Sequence, residues 1–154
     1  MGQRRKFTES EADYLVGSRK QILAIPAVVE ESGWSIIEAE VRMRDDPRAV
    51  TGGLIVKARV KRRLPGLPRG KASCSLLWHG CRIRGLDYEI RHDNPDGTVV
   101  RGWHEHIWND EDADARVIPA RPRVGGADLR GVFQWGLDKW NIEVEQIQDE
   151  LRLE

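Results

Sequence analysis

The chain of 154 residues has only two cysteines, Cys74 and Cys81, and no apolar run near the roughly 18 residues of a membrane span. The cysteines are seven residues apart in what we predict to be one strand, and this separation excludes a normal disulfide. They also lack the paired spacing of a zinc knuckle. The first residues contain no apolar stretch of the kind that a signal peptide needs. These absences predict a cytoplasmic protein with buried thiols and no membrane partner.

A net charge of one sign is also missing, because 25 Lys and Arg residues balance 25 Asp and Glu residues. The total charge therefore gives no sign of a polyanionic partner, but the charges are unevenly placed. From Pro47 to Leu86 there is no acidic residue and there are ten basic ones: Arg48, Lys57, Arg59, Lys61, Arg62, Arg63, Arg69, Lys71, Arg82 and Arg84. We expect a local positive field in the middle of the chain.

The sequence contains no internal repeat, no low-complexity tract and no segment that would separate two domains. With 40% apolar and 32% charged residues, it has the composition of a globular chain with a modest core. We expect a single domain over residues 1–154, with residues 1–7 disordered.

Amphipathic segments predict one helix near each end of the chain. Thr8 and Glu11 have the spacing of a capping box, and apolar residues follow at helical spacing until Pro26. Apolar residues from Leu129 to Trp140 trace a second helix. The segment "NIEVEQIQDELRLE" after it fits either a short strand or a trailing helix.

Between these helices the alternation of apolar and polar residues predicts strands. The predicted strands are "WSIIEAEVRMR", "LIVKARVKRR", residues 73–84, residues 86–92, residues 98–108 and a short sixth through "ARVIP". The fold class we predict is α+β: a single antiparallel meander sheet of five to six strands with an N-terminal and a C-terminal helix packed on one face.

The turn sequence "DNPDGT" joins the fourth and fifth predicted strands. A three-residue loop, which we favour, pairs His92 with Val100 and Tyr88 with His104. That register gathers one set of side chains on a single face: Tyr88, His92, His104, His106 and Trp108. A loop of two or four residues shifts the strand pairing by one position and brings other residues to the face that carries the histidines: Asp87, Glu89 and Arg91.

The motif "HDNPDG" followed by "WHEHIW" resembles a small uncharacterised bacterial family, whose pattern is His-x-Asn-Pro-Asp-Gly, then His-x-His and an aromatic residue. The segments "SEADYL" and "WGLDKWNI" also match it. Over residues 82–140 the chain is more distantly similar to the TumE-like toxins of bacterial toxin–antitoxin pairs. That resemblance implies a toxin-like or phage-defence ribonuclease, with RNA as its substrate and an antitoxin or a defence-complex protein as its partner.

Metal-free RNA cleavage needs a general base, a general acid and a cation for the charge that develops on phosphate. His104 and His106 are the candidate base and acid, because histidine titrates near neutral pH. This requires both imidazoles to project into solvent. We expect His92 or Tyr88 to support them and an arginine to bind the phosphate: Arg82, Arg84 or Arg91. The alternative is that both histidines are structural residues of a half-buried strand.

Two histidines at alternate strand positions can also bind one metal ion. His92, His104 and His106 would then be three ligands of zinc, with an open position as in catalytic zinc sites. The preferred hypothesis remains a metal-free ribonuclease with no cofactor. A zinc-dependent hydrolase and a non-catalytic binding module of a larger defence complex are the alternatives.

Candidate RNA contacts come from the basic stretch and from an aromatic residue that can stack on a base. They are Lys57, Arg59, Lys61, Arg62, Arg82, Arg84 and Trp108. The structural alternative for the charge run is a solvated strand face, and the alternative for Trp108 is burial in the core.

Overall fold

The computed structural model describes residues 7–44, 53–61, 71–111, 116–120 and 129–145. The predicted disorder at residues 1–6 and the predicted RNA contact at Arg62 concern residues outside these ranges. No helix in the described ranges combines the length and apolar character needed to cross a membrane. The elements within them, in chain order, are α1 (Glu9–Gly17), β1 (Lys20–Ile22), β2 (Val29–Glu31), β3 (Trp34–Glu40), β4 (Arg42–Met43), β5 (Leu54–Lys61), β6 (Lys71–Trp78), β7 (Cys81–Asp93), β8 (Val99–Ile107), β9 (Val117–Pro119), α2 (Leu129–Lys139) and β10 (Ile142–Val144).

The predicted single meander sheet of five to six strands with two helices on one face is wrong. Seven strands form one antiparallel sheet in the order β2-β3-β5-β6-β7-β8-β9, and a second sheet has the order β10-β1-β4. In the second sheet β1 pairs parallel with β10 and antiparallel with β4. We missed this sheet because its strands are two or three residues long, which is too short to show a hydrophobic period.

Helix α1 begins as predicted and ends earlier than predicted. The Thr8 side chain accepts a hydrogen bond from the Glu11 backbone N–H (3.2 Å), and the Glu11 carboxylate accepts one from the Thr8 N–H (3.0 Å). The helix ends at Gly17, and Ile22, which we placed on the same helix, is buried in β1.

The ammonium group of Lys20 caps the C-terminal end of α1. This side chain is fully buried, and its Nζ donates to three carbonyl oxygens: those of Leu15 (2.6 Å), Val16 (2.8 Å) and Ser18 (2.5 Å). The last carbonyls of a helix have no partner within the helix, so one cation satisfies several of them at once.

Strands β6 and β7 form a tight hairpin where we predicted one strand over residues 73–84. His79 and Gly80 make the turn, both with positive φ (49° and 79°). The chain reversal places Cys74 on β6 and Cys81 on β7, and neither forms a disulfide. Strand β7 then continues to Asp93.

Helix α2 covers one face of the large sheet and packs on β3, β5 and β6. Gly136 allows the close approach, because a Cβ atom there would collide with Sγ of Cys74. On this face β5 buries the predicted apolar residues Leu54, Val56 and Ala58.

The opposite face of the sheet, here called the histidine face, carries the polar residues of the same strands. Directly paired residues share a face, so the register places one row of side chains across β5, β6, β7 and β8: Arg59, Ser73, Asp87 and His104. Because successive residues of a strand alternate between faces, Lys57 and Lys61 lie on this face as well.

Candidate functional site

Three of the four histidines of the chain converge on the histidine face. The ring centroids lie 5.2 Å apart for His92 and His104, 5.2 Å apart for His92 and His106, and 5.0 Å apart for His104 and His106. One ring nitrogen from each residue lies within 4.8 Å of the others. The structure therefore brings together the three histidines that the sequence grouped.

A β-bulge in the β7–β8 hairpin makes this convergence possible. Next to the turn His92 pairs with Val100, as the favoured register predicted, but farther along Asp87 pairs with His104, as in the alternative register. One extra residue of β7 between these pairs accounts for the shift. Gly102 stands opposite the start of the bulge with φ of 81°, a conformation that favours glycine.

Two of the imidazoles have a polar partner at one ring nitrogen. Nδ1 of His104 lies 2.9 Å from the carbonyl oxygen of Gly102. Because a carbonyl only accepts, this nitrogen carries the proton and Nε2 of His104 carries the lone pair. Nε2 of His106 lies 3.0 Å from Oδ2 of Asp87.

Asp87 is a half-buried anion that supports His106. Nη1 of Arg82 donates to Oδ2 of Asp87 at 2.8 Å. Burial by itself raises the pKa of Asp87, but the hydrogen bond with His106 and the charge of Arg82 outweigh it and hold this pKa below the usual 3.8. The carboxylate is therefore ionised at neutral pH. Our favoured register missed Asp87, and Gly102 was the signal in the sequence that a bulge could move it to the histidine face.

The imidazoles do not project into solvent as predicted. His104 is 0% exposed and His106 is 4% exposed, while His92 is half-buried. The prediction failed because alternation along a strand assigns a face and says nothing of what covers that face. His92 is the most accessible of the three rings.

Three residues that we predicted to support the catalytic histidines or to bind the phosphate lie away from the histidines. Tyr88 is on the α2 face, where its ring packs 5.6 Å from that of Trp103. Arg91 is exposed and pairs with Asp93 at 3.0 Å. Arg84 is buried, and its Nη2 donates to Asp13 of α1 at 2.7 Å. Arg82, the remaining arginine candidate, contacts Asp87 and through it the cluster.

Trp108 is a core residue rather than a platform for a base. It is 8% exposed, and its ring lies 4.7 Å from that of Phe7. Phe7, which we assigned to a disordered start, is 3% exposed and also packs on Trp78. Burial therefore removes Trp108 from the predicted RNA contacts.

Comparison of the chain with protein-family models, with curated proteins and with solved structures finds no match. The resemblance to TumE-like toxins, the ribonuclease activity, the antitoxin partner and the cytoplasmic location stay predictions.

Proposed function

We propose that this protein is a zinc-dependent hydrolase whose metal ion is bound by His92, His104 and His106. The proposal is carried by the approach of three ring nitrogens to within 4.8 Å of one another. Zn–N bonds of about 2.0–2.1 Å in a tetrahedral arrangement separate the nitrogens by roughly 3.4 Å.

The polar contacts around the cluster resemble those of a metal site. Histidine ligands almost always donate the second ring N–H to a carbonyl, a carboxylate or water, which fixes the tautomer and the ring orientation. His104 donates in this way to Gly102, and the Asp87 carboxylate lies 3.0 Å from Nε2 of His106. Nε2 of His104 is therefore the ligand atom that we assign for that residue.

The burial of the histidines favours zinc-dependent hydrolysis over metal-free cleavage of RNA. A general acid and a general base must both reach the atoms between which the proton moves. Rings that are 0% and 4% exposed do not meet this requirement, whereas imidazole nitrogens that face one another suit a cation.

Three protein ligands leave one position of a tetrahedral site open. Among the described residues no further His, Cys, Asp or Glu joins the group. In catalytic sites of this kind zinc acts as a Lewis acid and lowers the pKa of a water ligand to about 7, so the ion supplies a nucleophile at neutral pH. His92, the half-buried ligand, marks the side from which a substrate reaches the site.

The direct test is metal content. Purified protein loaded with zinc and passed through gel filtration is expected to retain one ion per chain by elemental analysis. Hydrolysis of a chromogenic carboxylate ester and of a chromogenic phosphodiester is then measured, and activity on at least one is expected to disappear with a chelator and return with zinc. A chain that retains no ion contradicts the proposal. RNA cleavage that survives chelation contradicts it as well, and would favour the metal-free ribonuclease.

Replacement of the supporting carboxylate tests the contact between Asp87 and His106. Asp87→Asn is expected to weaken zinc binding by about 10–100-fold, because the neutral amide holds the His106 ring less firmly and lowers its basicity. Affinity is measured by competition with a chromophoric chelator at pH 7. Asp93→Asn is the matched control, since it removes an exposed carboxylate from the same strand. Equal affinities for the two variants would exclude this role for Asp87.

A further inference from the structure

Two lysines lie directly opposite each other on the histidine face. Lys61 of β5 pairs with Lys71 of β6, and like charges at directly opposite positions destabilise a sheet. Within the described ranges neither lysine has a salt bridge to a carboxylate. An anion bound between the two ammonium groups would relieve their repulsion.

Arg59 adds a third cation beside this pair and is held in place by its neighbours. Its Cζ lies 4.5 Å from the ring centroid of Trp34, and Nζ of Lys61 lies 5.5 Å from the same centroid. Nε of Arg59 donates to Oγ of Ser73 at 3.4 Å. Stacking on an indole orders a guanidinium while leaving other N–H groups available for an anion.

The carboxylates nearby on this face lie opposite other residues. Glu38 pairs with Lys57, and Glu31 pairs with Trp34. Lys57 is therefore the cation of β5 that faces an acid, so uncompensated positive charge concentrates at three residues: Arg59, Lys61 and Lys71.

Arg59 of this cationic group and His104 of the histidine cluster share one cross-strand row. Arg59 on β5 and His104 on β8 are separated by three strand spacings, which is about 14 Å at roughly 4.8 Å each. One small anion cannot reach both positions. A flexible polyanion with charges at regular intervals can contact the cations and extend to the histidines.

From this arrangement we infer that the protein binds single-stranded nucleic acid, with the phosphodiester backbone held by Arg59, Lys61 and Lys71 and led toward the histidine cluster. Cleavage of that backbone rests on the proposed zinc-dependent hydrolase. Binding does not, because the three cations lie on different strands from the metal ligands.

The test is fluorescence anisotropy with 5′-labelled twelve-nucleotide RNA and DNA, in chelator so that the strand stays intact. Lys61→Gln/Lys71→Gln is expected to weaken binding about 25-fold at 0.1 M salt. Each phosphate contact to a single strand contributes about 0.7 to the slope of log K against log salt concentration, and the variant loses two such contacts. The slope itself is expected to fall by about 1.4. Circular dichroism checks that the variant is folded.

Arg42→Gln/Arg101→Gln is the matched control, because it removes the same charge from two exposed strand positions outside the group. Equal binding of RNA and DNA supports recognition of the backbone, and stronger binding of RNA supports it with an added contact to the 2′-hydroxyl. Failure to bind either strand, or equal losses in both double variants, overturns the inference. If the chain binds the strands but retains no zinc, only the proposed hydrolase function is wrong. If it is a zinc-dependent hydrolase that binds neither strand, only the inference of nucleic-acid binding is wrong.

Discussion

His104→Ala is expected to weaken zinc binding by about 10²–10³-fold and to abolish zinc-dependent hydrolysis. Zinc sites with four protein ligands bind with roughly 10–16 kcal/mol, or about 2.5–4 kcal/mol for each ligand. His104 is the fully buried member of the cluster, and its proton is fixed on Nδ1 by the Gly102 carbonyl. Its loss removes a ligand that is already oriented, and the chelator competition assay measures the change directly.

His79→Asn is the matched control, since His79 is the fourth histidine of the chain, exposed on the β6–β7 turn. Asparagine tolerates the positive φ at that position. His92→Ala provides a second variant at a half-buried site, where substitution disturbs packing less. Zinc affinity that stays at the wild-type value in both His104→Ala and His92→Ala would rule out the three-histidine centre.

Lys20→Met is expected to lower the free energy of unfolding by about 3 kcal/mol. The three carbonyl oxygens that lose their donor cost about 1–3 kcal/mol each. Part of this is offset, because a methionine has no charge to desolvate. Burial lowers the pKa of Lys20 from 10.5 to about 8, and at about 1.36 kcal/mol per pKa unit that desolvation corresponds to roughly 3 kcal/mol. Urea unfolding at pH 7, followed by tryptophan fluorescence, measures the difference.

The same variant has a signature in its pH dependence. Between pH 8 and pH 10.5 the folded wild type has released the Lys20 proton while the unfolded chain still holds it, so the free energy of unfolding rises with pH. Lys20→Met has no such proton to release. The difference in free energy of unfolding between the wild type and the variant should therefore widen from pH 8 to pH 10.5. Lys71→Met, at an exposed lysine, is expected to change stability by less than about 0.5 kcal/mol. A Lys20→Met protein as stable as this control would contradict the role of Lys20.

Local chemistry in the sequence predicted several parts of the fold correctly. Thr8 and Glu11 form the expected capping box, because both partners lie within one turn of helix. The alternation in β5 separated Leu54 and Val56, which are buried, from Lys57 on the other face. In each case the determining interactions are made by neighbours in the chain.

Features that depend on distant parts of the chain were not predictable in this way. Strand β1 forms because Ile142 and its neighbours come to pair with Lys20 and the residues after it. The partner of His104 changed from Tyr88 to Asp87 because a turn determines only the pairing next to it. The burial of His104 depends on the tertiary structure around the sheet, which no local pattern reports.

The bulge in β7 also has a consequence for finding related sites in other proteins. Asp87 and His92 share a face although they are five positions apart, an odd interval that an unbroken strand would place on opposite sides. A relative without the extra residue would have its aspartate and histidine four positions apart and would present the same group of side chains. A motif search for this centre should therefore accept Asp-x₃-His as well as Asp-x₄-His, each followed by Gly-x-His-x-His.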